Sequence, residues 1–408
     1  MTTRKKVNYT TREDFHKKEE EQQAFLLSNS CNDDKCGEDS HFIALLKLCA
    51  KQKDLRRGSR IHRELAEQGL LEKNVYICSS LISMYAKCGA LLNAQEVFEY
   101  FRFRNGISWN AIITGYTQHG YGEEALKYFG RMLCEGMCPD TVTYLCVLKA
   151  CGTVESILDC LLIHNHIICT GVEYSITVGN TLIDTYAKCG SLFQAHKIFC
   201  EMPKRDVVTW STIISGYVQQ GEELHALNLF GQMQAEDVKP TKTVISCILK
   251  ACGNLGALQE GIFMHDFTIK LGLDDDSIIG NTVVYIYSKC QCLKEAHNMF
   301  GRLLNKDVVS SSALICGYIE NGKTEIALEL FRSVLLQGVK PDKGIYICSL
   351  NACCDTQNLP IGRMIHYSLI SIQGELDFEA GRGLLSMYIR CGSLQDAHSM
   401  FESLIKPD

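Results

Sequence analysis

The 408-residue sequence has few prolines and lacks any long hydrophobic run. Its six prolines are far below the frequency of about 5% that is typical of globular proteins. No apolar stretch reaches the roughly 18 residues that a membrane-spanning helix needs, so we expect no membrane partner. Scarce prolines and scattered glycines favour a chain made of many short helices.

The sequence also lacks an excess of positive charge. The formal net charge is -6, which excludes bulk positive charge as the means of holding nucleic acid but allows a local basic row. Hydrophobic residues make up 46% and charged residues 22% of the chain, which is close to the globular average. The composition therefore predicts neither disorder nor a membrane bundle.

The chain has 22 cysteines but no C-x-x-C motif and no N-terminal signal peptide. A chain of this length is not a small disulfide scaffold, so we infer a reducing compartment. A transit peptide is poor in acids, whereas residues 1–39 contain Glu13, Asp14 and Glu19. We predict that residues 1–39 form a partly disordered N-terminal extension with a candidate capping helix from Thr11 to Leu27.

A repeat organises the rest of the sequence. Tyr85, Tyr186, Tyr287 and Tyr388 are each 101 residues apart, and each 101-residue block contains units of 35, 35 and 31 residues. Eleven units then tile the chain at 40–74, 75–105, 106–140, 141–175, 176–206, 207–241, 242–276, 277–307, 308–342, 343–377 and 378–408.

Each unit has the hydrophobic pattern of two helices. In the unit 207–241 the first stripe is Trp210, Ile213, Ile214 and Tyr217, and the second is Ala226, Leu229, Phe230 and Met233. We call the residues at one position of successive units a column. The twentieth position is Ala and the twenty-fourth is Phe in seven units, which predicts a core of close helix pairs: Ala94, Ala125, Ala195, Ala226, Ala296, Ala327, Ala397, Phe98, Phe129, Phe199, Phe230, Phe300, Phe331 and Phe401. The predicted fold is all-α, an α-solenoid superhelix of eleven helix-turn-helix repeats.

Two motifs that suggest chemistry are better explained by the repeat. Residues 317–324 match the phosphate-binding pattern G-x-x-x-x-G-K-T, but the pattern needs a preceding strand and here follows a helical segment. His62 and Glu64 form the H-x-E pair that begins a zinc deaminase signature, yet no P-C-x-x-C follows. His62 shares a column with His164, His265 and His366, so we interpret it as a packing residue. We predict no catalytic residues, no metal site, no cofactor and no small-molecule substrate.

The units resemble the pentatricopeptide repeats of plants, in the subfamily that alternates standard, long and short motifs. Short units carry M-Y-A-K-C-G from Met84 and T-Y-A-K-C-G from Thr185, and a standard unit carries W-N-A-I-I-T-G-Y from Trp109. Long units carry L-K-A-C-G from Leu148 and a G-x-x-x-H element from Gly261. Tetratricopeptide repeats share some columns but keep a fixed 34-residue period, which the 31-residue units do not.

Two surface columns are candidate functional residues. The last residue of every unit can cap a helix, and the fifth residue is Asn or Ser in six of the seven standard and short units, although Asn is a poor helix former. The resemblance implies that the fifth and last residues together recognise one RNA base: Ser79 with Asn105, Asn110 with Asp140, Asn180 with Asp206, Ser211 with Thr241, Asn281 with Asp307, and Ser312 with Asp342. A basic row, Lys87, Lys188, Lys289 and Arg390, is the predicted contact to the RNA backbone.

The resemblance implies sequence-specific binding of single-stranded organellar RNA, one base per repeat, in a mitochondrion or chloroplast. It implies site recognition for C-to-U RNA editing, with a deaminase or another protein of an editing complex as a partner in trans. By resemblance, the expected target is close to 5′-A-U-x-U-R-x-U-G-3′, where x marks a long unit. The alternative is a tetratricopeptide-like scaffold that binds other proteins.

Overall fold

The computed structural model describes residues 34–71, 74–101, 103–170, 175–273, 275–303, 306–338, 340–373 and 378–405. The regular secondary structure of these residues is entirely α-helical, so the predicted all-α class is confirmed. The candidate capping helix, Thr11 to Leu27, lies outside the described residues.

The chain divides into two compact units, Met1–Lys204 and Arg205–Asp408. The first contains α1 Asp34–Gln52, α2 Leu55–Glu67, α3 Val75–Lys87, α4 Leu91–Tyr100, α5 Gly106–Gln118, α6 Gly122–Cys134, α7 Thr141–Val154, α8 Ile157–Thr170, α9 Ile176–Lys188 and α10 Leu192–Glu201. The second contains α11 Val207–Gln219, α12 Glu223–Ala235, α13 Lys242–Leu255, α14 Leu258–Lys270, α15 Ser277–Lys289, α16 Leu293–Arg302, α17 Val308–Glu320, α18 Thr324–Leu336, α19 Lys343–Thr356, α20 Leu359–Gln373, α21 Phe378–Arg390 and α22 Leu394–Ile405.

The helices pack as consecutive antiparallel pairs. Within each compact unit the first helix of a pair contacts its own second helix and the first helix of the next pair. This arrangement is an α-solenoid, in which no single pair could bury its apolar face alone. The first helices from α3 onward begin at the residues with which the sequence units begin, while α1 begins at Asp34, before Ser40. The boundaries of the sequence units remain a prediction.

The last residue of a sequence unit starts the next helix by capping it. At nine described helix starts this side chain accepts a backbone hydrogen bond from the first turn: Asn74, Asn105, Asp140, Ser175, Asp206, Thr241, Asp276, Asp307 and Asp342. Such a cap satisfies a backbone N–H that would otherwise have no partner within the helix. Asp377 and Asp408 lie outside the described residues.

The predicted core columns are buried along most of the chain. All seven alanines of the twentieth position are buried, and Phe98, Phe199 and Phe331 are fully enclosed. The prediction was wrong for two members of the phenylalanine column, since Phe300 is only half-buried and Phe401 is 49% exposed. Phe401 lies on α22, and no later helix among the described residues packs over it.

The histidine column joins one helix pair to the next. The Nδ1 atoms of His62, His164, His265 and His366 lie 2.8 to 2.9 Å from the hydroxyls of Tyr85, Tyr186, Tyr287 and Tyr388. Burial lowers the pKa of all four imidazoles, which favours the neutral ring. The interpretation of His62 as a packing residue is therefore confirmed.

The segment that matches the phosphate-binding pattern is a helix-turn-helix. Gly317 lies within α17, Gly322 adopts a φ of 70° in the turn, and Thr324 begins α18. A positive φ is easy for glycine and strained for other residues, which explains why this turn column contains glycine. A helix rather than a strand precedes this turn. The prediction that the match to the phosphate-binding pattern arises from the repeat is therefore confirmed.

Candidate nucleic-acid interface

The fifth and last residues of a sequence unit meet although they are about thirty positions apart. The Nδ2 of Asn110, on α5, donates to both carboxylate oxygens of Asp140 at 3.0 and 2.9 Å. The Nδ2 of Asn281, on α15, makes the same pair of contacts with Asp307 at 3.1 and 2.9 Å. The aspartate caps the next helix at the same time, so helix capping fixes the carboxylate that orients the amide.

Serine in the fifth position makes weaker contacts to the last residue. The hydroxyl of Ser312 donates to Asp342 at 3.3 Å, and that of Ser211 lies 3.4 Å from Thr241. Each hydroxyl also donates to the carbonyl one turn earlier, Val308 and Val207 respectively. A serine therefore divides its hydrogen bonding between its own helix and the capping residue.

The remaining predicted residues lie on first helices or cap them. Ser79 is buried on α3 and donates to the carbonyl of Val75 at 2.8 Å. Asn105 caps α5 by accepting from the Ser108 N–H at 2.9 Å. Asn180 lies on α9, and Asp206 caps α11.

The two aspartates that hold an asparagine remain ionised over a wide pH range. Burial raises the pKa of Asp140, but hydrogen bonds from Thr143 and Asn110 outweigh burial and hold that pKa below its usual value. The same balance lowers the pKa of Asp307, where Ser310 and Asn281 are the donors. Each carboxylate is therefore a stable acceptor for the asparagine amide.

The two asparagines differ in their carbonyl oxygens. The Oδ1 of Asn110 accepts from the Thr143 hydroxyl at 2.6 Å. The Oδ1 of Asn281 is buried and has no hydrogen-bond partner among the described residues, and the whole residue is only 6% exposed. A buried acceptor without a partner costs free energy.

Several of the candidate residues line a cavity in each compact unit. In the first unit a cavity of about 680 Å³ is lined by Ser79, Lys87 and Asn110. In the second unit a cavity of about 500 Å³ is lined by Asn281, Lys289, Ser312 and Asp342. In both places the amide or hydroxyl column and the basic row face the same space.

Three of the four basic-row residues are already paired with acids. The Nζ of Lys188 lies 2.7 Å from Asp184, and that of Lys289 lies 2.7 Å from Glu320. The Nη1 of Arg390 lies 3.4 Å from Asp355. The hydrogen bond that Lys289 donates to Glu320 raises the pKa of Lys289. Exposed ion pairs contribute roughly 0–1 kcal/mol, so these cations can exchange an acid for a phosphate.

A third column at this surface was missed in the sequence. The second residue of several units is a large apolar side chain that is 51 to 63% exposed: Tyr76, Ile107, Val142, Val208, Ile278 and Val309. Tyr76 and Ile107 line the first cavity, and Val309 lines the second. This column could have been identified in the sequence from its recurrence two positions after the capping residue, outside the apolar stripe of the core.

Within the described residues, no cluster of three or more His, Cys, Asp or Glu side chains is arranged to hold a metal ion. The helices of that part of the chain are also too short or too polar to cross a bilayer.

Two family models match the repeats. The model described as the PPR repeat family matches residues 104–153 and 205–254. The model described as PPR repeat matches residues 76–105, 180–207 and 309–339.

Curated relatives extend the likeness over nearly the whole chain. A chloroplastic pentatricopeptide repeat-containing protein of Arabidopsis thaliana is 30% identical over 89% of this chain and 58% of its own length. A mitochondrial one from the same plant is 35% identical over 87% of this chain and 34% of its own length. The chain thus spans about half the length or less of most such relatives. Their names support the predicted organellar location.

Solved structures show the same fold. The pentatricopeptide repeat protein PPR10, crystallised with an 18-nt psaJ RNA element, has a TM-score of 0.70 at 19% identity, over 95% of this chain and 56% of that chain. PPR10 from maize has a TM-score of 0.61 at 20% identity, over 96% of this chain and 61% of that chain.

The stacked helix pairs, with one polar column facing open cavities, define an α-solenoid repeat protein. The repeat models and the relatives then give the family: the chain is a pentatricopeptide repeat protein.

Proposed function

We propose that this chain binds single-stranded RNA sequence-specifically, with one base for each repeat. The observation that carries the proposal is the Asn281–Asp307 pair, in which the amide is fixed and the Asn281 Oδ1 has no partner among the described residues. An acceptor held at a defined position discriminates bases by the N–H donors on their exposed edges. The fifth and last residues of the other units are proposed to act in the same way.

The three surface columns have complementary tasks in this proposal. The exposed apolar residues Tyr76, Ile107 and Val309 contact the faces of unstacked bases, which every base possesses. The fifth and last residues contact base edges, and the basic row contacts phosphates. PPR10, which has the same fold, was crystallised with an 18-nt RNA element, and this supports RNA as the ligand class.

The finer proposal is that the RNA is organellar and that the chain belongs to the plant subfamily of standard, long and short repeats. The relatives named chloroplastic or mitochondrial support the organellar part. The unit lengths of 35, 35 and 31 residues support the subfamily. In this subfamily the expected task is site recognition for C-to-U editing, with the deaminase supplied in trans.

Filter binding with purified protein tests the proposal. We expect the RNA 5′-A-U-x-U-R-x-U-G-3′ to bind more tightly than its complement and more tightly than DNA of the same sequence. Equal affinity for all three would contradict sequence-specific RNA binding. Failure to bind any nucleic acid, together with capture of a defined peptide, would favour the tetratricopeptide-like scaffold.

A further inference from the structure

One position of the repeat places polar side chains of neighbouring first helices against each other. On α5 and α7, the Oγ1 of Thr114 lies 3.1 Å from the Sγ of Cys146. On α11 and α13, the Oγ of Ser215 lies 3.3 Å from the Sγ of Cys247. Both pairs join the ninth residue of a standard unit to the sixth residue of the following long unit.

The third copy of this pair is built from two cysteines. Counting in the same way places Cys316, on α17, against Cys348, on α19, and these two helices pack against each other. Each thiol is the largest influence on the pKa of the other, which requires the two side chains to be neighbours. A hydroxyl and a thiol carry their polar atom at the same place on the side chain, so the third pair puts two sulfur atoms where the others put oxygen and sulfur.

The environment activates one of the two thiols. The hydrogen bond from Cys316 outweighs burial and lowers the pKa of Cys348 to about 7, and the nearby Lys289 acts in the same direction. The same hydrogen bond and burial raise the pKa of Cys316, and the carboxylates of Glu320 and Asp342 raise the pKa of both thiols without cancelling the lowering at Cys348. A thiolate is the nucleophile in disulfide exchange, so Cys348 is the attacking group.

The two cysteines of the thiol pair are half-buried. Neither cysteine is fully buried, and Cys316 lines the 500 Å³ cavity with Asn281 and Ser312. By contrast Cys151, Cys252 and Cys353 are buried, and burial raises the pKa of each. Access and a lowered pKa together distinguish a reactive thiol from a structural one.

We propose that Cys316 and Cys348 are a reactive dithiol that forms an intramolecular disulfide by exchange with a low-molecular-weight disulfide such as oxidised glutathione. The Cys348 thiolate attacks one glutathione sulfur, forms a mixed disulfide and expels one glutathione thiolate. The Cys316 thiol then loses its proton, attacks the Cys348 sulfur and expels the second glutathione thiolate. Two protein thiols are oxidised, and one glutathione disulfide is reduced to two thiols. The product links α17 to α19 beside the cavity.

The test is to equilibrate the purified, reduced chain with a glutathione redox couple and to map its cysteines by tandem mass spectrometry. The tryptic peptide 307–323 contains Cys316 as its only cysteine, so a cross-link from it to peptide 344–363 reports the pair. We expect this cross-link, with the loss of two hydrogen atoms, and we expect Cys348→Ser to abolish it. Cys316→Ser reproduces the serine of the equivalent position, Ser215, and is therefore expected to fold.

The repeat supplies a matched control. Wild-type Cys247 faces a serine and should form no such cross-link, whereas Ser215→Cys should create one with Cys247 by the same register. If Cys316 or Cys348 carries a mixed glutathione disulfide and the cross-link does not form, the proposal is overturned. A cross-link to Cys353 or Cys354 that persists in Cys348→Ser would also overturn it. No RNA is present in this experiment, so its result is independent of the proposed function.

Discussion

At the scale of single residues, Asn281 offers the most direct test of base recognition. Its amide is held by Asp307 and its Oδ1 lacks a partner among the described residues. Asn281→Thr replaces the amide with a hydroxyl, and we expect the preferred base at the seventh position of the target to move from U towards G. A good base contact discriminates by about 1–3 kcal/mol.

Competition binding with RNAs that differ only at the seventh base measures this change. The control is Asn228→Thr, which changes an exposed asparagine on α12, a second helix. If Asn281→Thr leaves the base preference as it was, the assignment of repeats to bases is wrong.

Glu320 offers a second test at the scale of single residues, because its carboxylate forms an ion pair with Lys289. The equivalent residue in the first compact unit is Gln118, which lines the cavity that contains Lys87. Glu320→Gln should release Lys289 for a phosphate, tighten binding to every RNA and steepen the slope of log affinity against log salt by about 0.7. Salt titrations of binding measure this slope.

The reciprocal variant Gln118→Glu adds an acid beside the cavity of Lys87 and should weaken binding to all RNAs. An unchanged affinity in both variants would show that the basic row does not contact phosphate. The stability change should be small in Glu320→Gln, because the ion pair it removes is partly exposed.

At the scale of helices, Asp307 performs two tasks that substitutions can separate. It caps α17 in a capping box with Ser310, and it holds the amide of Asn281. Asp307→Ala should lose both tasks and destabilise the chain by about 1 kcal/mol. Asp307→Ser should keep the cap and most of the stability, yet still alter base preference. Urea unfolding and competition binding measure the two effects separately; equal stability in both variants would contradict the capping role.

The pH dependence of Asp307 follows from the direction of its pKa shift. Its pKa is lower in the folded chain than the ordinary value of about 3.9. The carboxylate therefore stabilises the fold above that ordinary value, and its contribution is lost as the pH falls through the lower folded value. We expect the stability advantage of wild type over Asp307→Ala to be constant near neutral pH and to shrink below about pH 4. An advantage independent of pH would show that ionisation of Asp307 does not matter.

Helix-scale features were largely predictable from sequence, because they depend on local chemistry and on a strict period. The capping residues and the alanine column follow from spacing alone, and the structure confirms them. The half-buried Phe300 was not predictable, because its burial depends on how neighbouring pairs pack. The Lys289–Glu320 ion pair and the contact between Cys316 and Cys348 join helices of different sequence units. To predict such contacts one must know the register between neighbouring first helices, and the period of the sequence repeat alone does not give it.

At the scale of the whole molecule, the proposed function assigns RNA recognition to this chain and the chemical reaction to another protein. The repeats are helix pairs in which the last residue of a unit caps the next helix, and the fifth and last residues are proposed to recognise bases. The H-x-E pair of His62 and Glu64 is not followed by P-C-x-x-C in these 408 residues, and His62 is engaged with Tyr85. A zinc deaminase needs both halves of that signature to bind the metal and activate water. The 408-residue chain is thus proposed to select the site while another protein supplies the reaction.

The last prediction tests whether this chain selects the RNA site while another protein catalyses the conversion. The purified 408-residue chain, incubated with RNA that places a cytidine just 3′ of 5′-A-U-x-U-R-x-U-G-3′, should produce no C-to-U conversion, because the part of the chain that the structure describes contains no cluster that could hold a water-activating metal ion. Adding a plant organellar extract should yield conversion that falls when Asn281→Thr replaces the wild type. Sequencing of the recovered RNA measures both outcomes. Conversion by the purified chain alone would contradict the separation, and extract-dependent conversion that is indifferent to Asn281→Thr would show that this chain does not select the site.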